Sequence, residues 1–248
     1  MSPHSGRDYE HYFLNQTNLS INCLRLSEDH YIDVLWKPVL DLGVNMISAT
    51  FPRIYVDVNR SPLDIDPIMW EGGPKNLFNN GSMKVRSGIG VFPKVNLNGL
   101  ELYNSKISFN EARYRLFNYY FPYHKKIKES IYKNFQTYKK LIVIDCNSMP
   151  PFSCEEGVDI VLSNVLGKSA EMGVLRLISS EFEKYNFKVS INKPFQGGFI
   201  TSYYGNPKNN LHAVQIEINK DLYINDESMY ICENKSYKLI KCLKRIII

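Results

Sequence analysis

The 248 residues are 44% hydrophobic and 22% charged, the balance of a soluble globular chain long enough to bury a sizeable core as one domain over 1–248. Thirty basic against 25 acidic residues leave a formal charge of +5. Part of that excess lies at the C-terminus (Lys235, Lys238, Lys241, Lys244, Arg245), and no aromatic-interleaved basic patch accompanies it, so a nucleic-acid partner is not expected. Five cysteines without Cys-x-x-Cys spacing argue against a disulfide framework and for a reducing compartment. With no leader and no membrane-length apolar run, the expectation is a cytoplasmic protein without a membrane partner.

The chain opens on Ser2-Pro3-His4-Ser5-Gly6-Arg7-Asp8-Tyr9, where Gly6 permits a tight turn behind His4. Ser27 reads as an N-cap, with Glu28 and Asp29 complementing the dipole of a helix that Pro38 kinks or ends and Gly43 closes. Val44–Ala49 reads as a strand. So does Ile54–Arg60, whose alternation carries Asp57, Asn59 and Arg60 into a segment with no structural need for them. With Arg53 just before it, this run offers forked, bidentate donors suited to a carboxylate; an Asp57–arginine ion pair is the structural alternative.

Residues 61–84 form a long Pro-, Gly- and Asp-rich loop, and 85–95 a short extended segment. Ser108 with Glu111 opens a helix predicted to run to about Tyr138 with an interruption at Pro122, inside the aromatic stripe Tyr119–His124; core packing is the default for such a stripe, and the kink can aim His124 at a cavity. The β-branched run after Lys139-Lys140 reads as a strand buried on both faces. It ends in Asp145, Asn147 and Ser148, where ligand crevices of α/β sheets lie.

Residues 159–162 make another strand. Gly167-Lys168-Ser169 lacks the upstream glycine of a phosphate loop, so Ser169 is read as the N-cap of the next helix, with Asn186 at its left-handed end. Phe187–Ile191 is a strand, and 192–205 a Gly-rich loop. Leu211–Ile218 is a strand carrying Gln215 and Glu217 on one face. An acid there is costly unless partnered, which makes Glu217 the general-base candidate; a half-exposed polar face is the alternative. The basic tail is predicted to be helical in part.

Several of these segments together resemble the N-formylglutamate amidohydrolase family: Ser-Pro-His-Ser-Gly-Arg-Asp-Tyr at 2–9, Ser-Glu-Asp at 27–29 and Phe-Pro-Arg-Ile-Tyr-Val-Asp-Val-Asn-Arg at 51–60. Gly-Ile-Gly-Val at 88–91, Pro-Tyr-His at 122–124, Ile-Asp-Cys-Asn-Ser-Met-Pro at 144–150, Pro-Phe-Gln-Gly-Gly-Phe-Ile-Thr at 194–201 and His-Ala-Val-Gln-Ile-Glu-Ile-Asn at 212–219 continue the likeness in order. The resemblance implies an α/β fold like that of zinc carboxypeptidases, a mostly parallel or mixed sheet with helices on both faces. It implies hydrolysis of an N-acyl amino acid such as N-formylglutamate, a small acidic substrate, by zinc-activated water. By the same resemblance His4 and Asp29, with Glu28 as the alternative, would be metal ligands and Glu217 the base. Arg53, Asn59 and Arg60, with His124, would grip the substrate. No oligomeric state is implied.

Two departures bear on activity. The family pattern has a metal-ligating His where Asn147 stands, and zinc prefers imidazole, thiolate or carboxylate to a neutral amide, so weak or absent zinc binding is expected. Relatives also carry a strand before the Pro-His-Ser-Gly segment, whereas only three residues precede His4, so that strand is expected to be a stub or to lie upstream of Met1. The alternative expectation is therefore a catalytically impaired homologue that still binds an acidic ligand. Outside the family, an anion- or partner-binding α/β module would share these arginines.

Overall fold

The apolar run that opens at Leu141 is a strand, and Leu211–Asn219 lies parallel beside it, from Leu141 opposite Leu211 to Met149 opposite Asn219. This computed structural model describes residues 1–73, 81–151, 157–225 and 229–248. In chain order the elements begin with α1 (His11–Leu14), α2 (Ile21–Arg25), α3 (Ile32–Trp36), β1 (Trp70–Glu71), α4 (Met83–Arg86), β2 (Ile107–Ser108), α5 (Phe109–Arg115) and α6 (Phe121–Thr137). They continue with β3 (Leu141–Met149), β4 (Ile160–Ser163), α7 (Met172–Lys184), β5 (Val189–Ile191), α8 (Phe199–Tyr204), β6 (Leu211–Asn219) and α9 (Glu233–Ile247).

Two compact units divide the chain. A sheet unit holds Met1–Ser2, Asp29–Ile47 and Ser130–Ile248; a loop-rich unit holds Pro3–Glu28 and Ser48–Glu129. The architecture is α/β, and the sheet is mixed, ordered β3-β6-β4-β5, with β4 antiparallel to β6 and parallel to β5.

Period two along the strands sorts the sheet's faces. Cys146, Ile160, Leu162, Val214, Ile216 and Ile218 point to one side, where Leu35 of α3, Leu175 and Phe182 of α7 and Leu239 of α9 complete an apolar core. Each such side chain contributes roughly 1.5–3 kcal/mol when fully buried. The opposite face of β3 and β6 carries Asp145, Asn147, Gln215 and Glu217, and α8 packs there through Thr201. Strand β3 is an edge strand. Met1 continues the sheet past it by a single residue, its amine donating to the Ile144 carbonyl at 2.5 Å and its carbonyl accepting from Cys146 N at 2.7 Å.

In the loop-rich unit the short β1–β2 pair cannot by itself supply a core. Buried apolar side chains such as Phe13, Val56, Val91 and Leu102 supply it, with a buried guanidinium among them. Arg115 donates to Glu111, to the Tyr103 hydroxyl at 2.7 Å, to Gln16 Oε1 at 2.9 Å and to the Tyr55 carbonyl at 3.0 Å, and it lies over the Tyr55 ring at 4.2 Å.

Several sequence expectations are corrected. The helix after Glu28 begins only at Ile32, capped by Tyr31 at φ 55, so Ser27 is not its N-cap; Pro38 turns it into a 3-10 helix that Gly43 closes at φ 81. Val44–Ala49 makes no ladder. Ile54–Arg60 is a chain of turns, because all of Ile54 to Asn59 is buried and its polar members bond inward rather than alternate. Residues 83–86 are helical. Glu171, not Ser169, caps α7, while the Ser169 hydroxyl donates to the Ala213 carbonyl. Phe199–Tyr204 is helix, not loop. Part of the loop reading at 61–84 falls on 74–80, outside the described residues, as does Cys154.

Candidate active site

In the loop-rich unit the polar residues of 53–60 converge on one carboxylate. Asp57 is 1% exposed. Its Oδ1 accepts from Asn59 N at 2.8 Å and lies 2.8 Å from His4 Nε2, while Oδ2 accepts from Arg53 Nη2 at 2.8 Å with Arg60 Nη2 at 3.8 Å. Burial alone would raise this carboxyl's pKa, but the charges of Arg60, His4 and Arg53 outweigh it and hold the group well below the usual range. The Asp57–arginine ion pair read as an alternative in the sequence is present. His4 Nε2 is engaged with Asp57, so Nδ1 is the ring nitrogen through which His4 would reach a ligand. A carboxylate behind an imidazole in this way fixes its orientation.

The chain reaches that position through Gly6, where a Cβ would stand 2.0 Å from the Phe51 carbonyl oxygen. Arg60 is held by two carbonyls and a hydroxyl: Nε donates to Ile89 O at 2.9 Å and Nη1 to Asn59 O at 3.0 Å, while its own carbonyl accepts from the Tyr120 hydroxyl at 2.8 Å. His124 Nε2 meets the Val58 carbonyl at 2.9 Å. Burial is the largest influence on this imidazole and lowers its pKa to about 4; the Val58 bond opposes that shift and Lys128 adds to it. His124 is therefore neutral at pH 7 and donates its Nε2 proton. Glu28 is committed within the same unit, accepting from the Tyr9 hydroxyl at 2.7 Å and from Arg25 Nε at 3.4 Å.

In the sheet unit Asn147 and Glu217 are direct neighbours across β3 and β6, and Asp145 faces Gln215 one step earlier. Gln215 Nε2 donates to Glu217 Oε1 at 2.7 Å, so amide and acid on one face are partners. Thr201 Oγ1 donates to Asp145 Oδ2 at 3.3 Å. Tyr223 is fully buried, and its hydroxyl donates to the His30 carbonyl at 2.9 Å. Burial pushes that phenol's pKa up, and the negative charges of Asp29 and Glu217 add to the shift, against a hydrogen bond with Ser148. Asp29 and Glu217 thus act on one buried phenol. Thr201 and Tyr223 were not singled out in the sequence as site residues; Gln215 was, through its period-two pairing with Glu217.

Donor chemistry tests the implied metal. Asn147 is 2% exposed, and its Nδ2, which carries hydrogens and cannot ligate, has no hydrogen-bond partner among the described residues. No group of three or more His, Cys, Asp or Glu side chains is placed to hold a metal among the described residues. The residues present do not fit a zinc ion held by three strong protein ligands. Nor, among them, is any helix long and apolar enough to cross a membrane.

Comparison with known proteins gives a consistent result. Residues 1–224 match the family described as N-formylglutamate amidohydrolase. An N-formylglutamate deformylase of Pseudomonas aeruginosa is 25% identical over 82% of this chain and 73% of its own. That of Pseudomonas putida is 24% identical over 80% and 71%. The crystal structure of N-formylglutamate amidohydrolase from Ralstonia eutropha superposes with a TM-score of 0.91 at 29% identity, covering 99% of this chain and 91% of that one. A gene product of Agrobacterium tumefaciens, at 17% identity and a TM-score of 0.68, shares the fold.

Proposed function

Because the chain belongs to the N-formylglutamate amidohydrolase family, we propose that it binds N-acyl amino acids bearing a carboxylate, such as N-formylglutamate, and hydrolyses their amide bond. The observation that carries this reading is the pair of arginines that converge on Asp57. Two guanidinium groups, 24% and 11% exposed at the side chain, flank one buried carboxylate on a single turn. A substrate carboxylate is the anion that such forked donors recognise, and the fork gives it direction. Arg53, Asn59 and Arg60 form this grip.

Glu217 is the general base. It takes a proton from water as the oxygen attacks the acyl carbon, and returns it to the leaving nitrogen when the C–N bond breaks, releasing formate and the free amino acid. Gln215 holds Glu217 by one oxygen and so fixes the orientation of the carboxylate. The resemblance assigns His4 and Asp29 to zinc, and the commitment of Glu28 to Tyr9 and Arg25 favours Asp29 over it. With Asn147 in the third position such an ion would be held weakly.

Asn147 favours a second reading, a homologue that binds the acidic ligand without cleaving it. Formate release from N-formylglutamate, with zinc supplied, separates the two. Release that disappears in Glu217→Gln supports hydrolysis. No release, with N-formylglutamate still raising Tm, supports binding alone. If the ligand neither reacts nor stabilises the chain, both readings fail.

A further inference from the structure

The helical run over 109–137 changes its winding at one place. Buried positions on α5 are Glu111, Ala112 and Arg115; they resume at Tyr120 and continue on α6 at Tyr123, His124 and Ile127. The step from Arg115 to Tyr120 is five residues, one more than an α-helix allows for a shared face, and the π-helical segment Leu116–Tyr120 absorbs the extra residue. Tyr120 and His124, four apart, lie on one face with ring centroids 4.4 Å apart, and the π-helical segment brings that face into line with the buried side of α5. Both reach the backbone of the turn that carries the arginine grip: the Tyr120 hydroxyl to the Arg60 carbonyl at 2.8 Å, and His124 Nε2 to the Val58 carbonyl at 2.9 Å.

We infer that Tyr120 and His124 are positioning residues for the carboxylate grip, two pegs that fix the Val58–Arg60 backbone so that Arg60 meets a ligand carboxylate in one orientation. The inference rests on the function proposed above and gives His124 a role without substrate contact. Geometry favours that role over a direct one. The Nε2 proton of His124 is spent on Val58, and a neutral imidazole adds no charge to attract an anion. Tyr120 likewise spends its hydroxyl proton on the main chain rather than on the guanidinium. Two pegs two residues apart hold the turn against rotation, which one hydrogen bond would not do. Bidentate recognition loses affinity steeply with such rotation.

The test uses the full chain and glutarate as the probe, with affinity read by calorimetry. Tyr120→Phe removes only the hydroxyl, and should weaken glutarate binding roughly fivefold, the scale of one net hydrogen bond. His124→Leu should do the same, while His124→Gln, whose amide keeps an N–H near the Nε2 position, should recover most of the loss. In turnover assays the effect should fall on KM and leave kcat unchanged. A merely structural role predicts a lower Tm with affinity unaltered well below it. Unchanged glutarate affinity in both Tyr120→Phe and His124→Leu overturns the inference. If the unaltered protein does not bind glutarate, the proposed grip fails. The positioning claim is then read from the Arg60 Nε–H resonance: a shift and faster solvent exchange in Tyr120→Phe support it, and an unmoved signal overturns it.

Discussion

His4 Nε2 lies 2.8 Å from Asp57 Oδ1, with both side chains buried. One carboxylate thus orients the imidazole on one oxygen and ties Arg53 and Arg60 on the other, so His4 and both arginines depend on the same residue.

Asp57→Asn tests that double role through stability. Removing one partner from a buried ionic cluster costs about 3–5 kcal/mol, because the guanidinium charges remain. The pH dependence has a definite sign. The native carboxyl of Asp57 is held well below its unfolded value of about 3.9, so its contribution is complete above that pH. It is lost as pH falls from there through the native value. Denaturant unfolding should therefore show a large gap between Asp57→Asn and the unaltered protein at pH 7, narrowing below about pH 4.

Gly6→Ala should disturb the same cluster from the backbone side. An added Cβ meets the Phe51 carbonyl oxygen at 2.0 Å, a main-chain atom that cannot swing aside. The expected cost is about 3 kcal/mol, or roughly a 5–10 °C fall in Tm on thermal unfolding.

Asn147→His addresses the metal. Exchanging a neutral amide for imidazole restores a strong donor at the end of β3. Elemental analysis after dialysis should find well under one zinc per chain in the unaltered protein and close to one in the variant. Equal zinc content in both would show that this position does not govern retention.

Glu217→Gln keeps the size and the Gln215 contact but removes the base. Turnover should drop about 10²–10⁴-fold with glutarate affinity unchanged, as measured by formate release and calorimetry. Equal activity would move the base elsewhere on the sheet.

How much of this was readable in the residues varies by segment. Strands β3 and β6 were legible because β-branched runs bounded by charges and turn residues leave little alternative to a buried parallel strand. The polar face followed from period two, which placed Gln215 beside Glu217 before any contact was known. The 54–60 segment misled for a physical reason. Its apolar and polar residues alternate, yet every residue from Ile54 to Asn59 is buried, and the Asp57 carboxylate supplies the partners a strand would have taken from a ladder. Asp-x-Asn, with the acid accepting from the backbone two residues on, was the turn signal to weigh against the alternation. Likewise Tyr120 was one member of an aromatic stripe. Only the π-helical step, invisible to a 3.6-residue period, aims it at Arg60.

Paired calorimetric titrations of N-formylglutamate and its side-chain amide, N-formylglutamine, bear most directly on the claim that Arg53 and Arg60 select a ligand carboxylate. The acid should bind at least about tenfold more tightly, and that preference should vanish in Arg60→Gln. Equal affinity for acid and amide in the unaltered protein would contradict it.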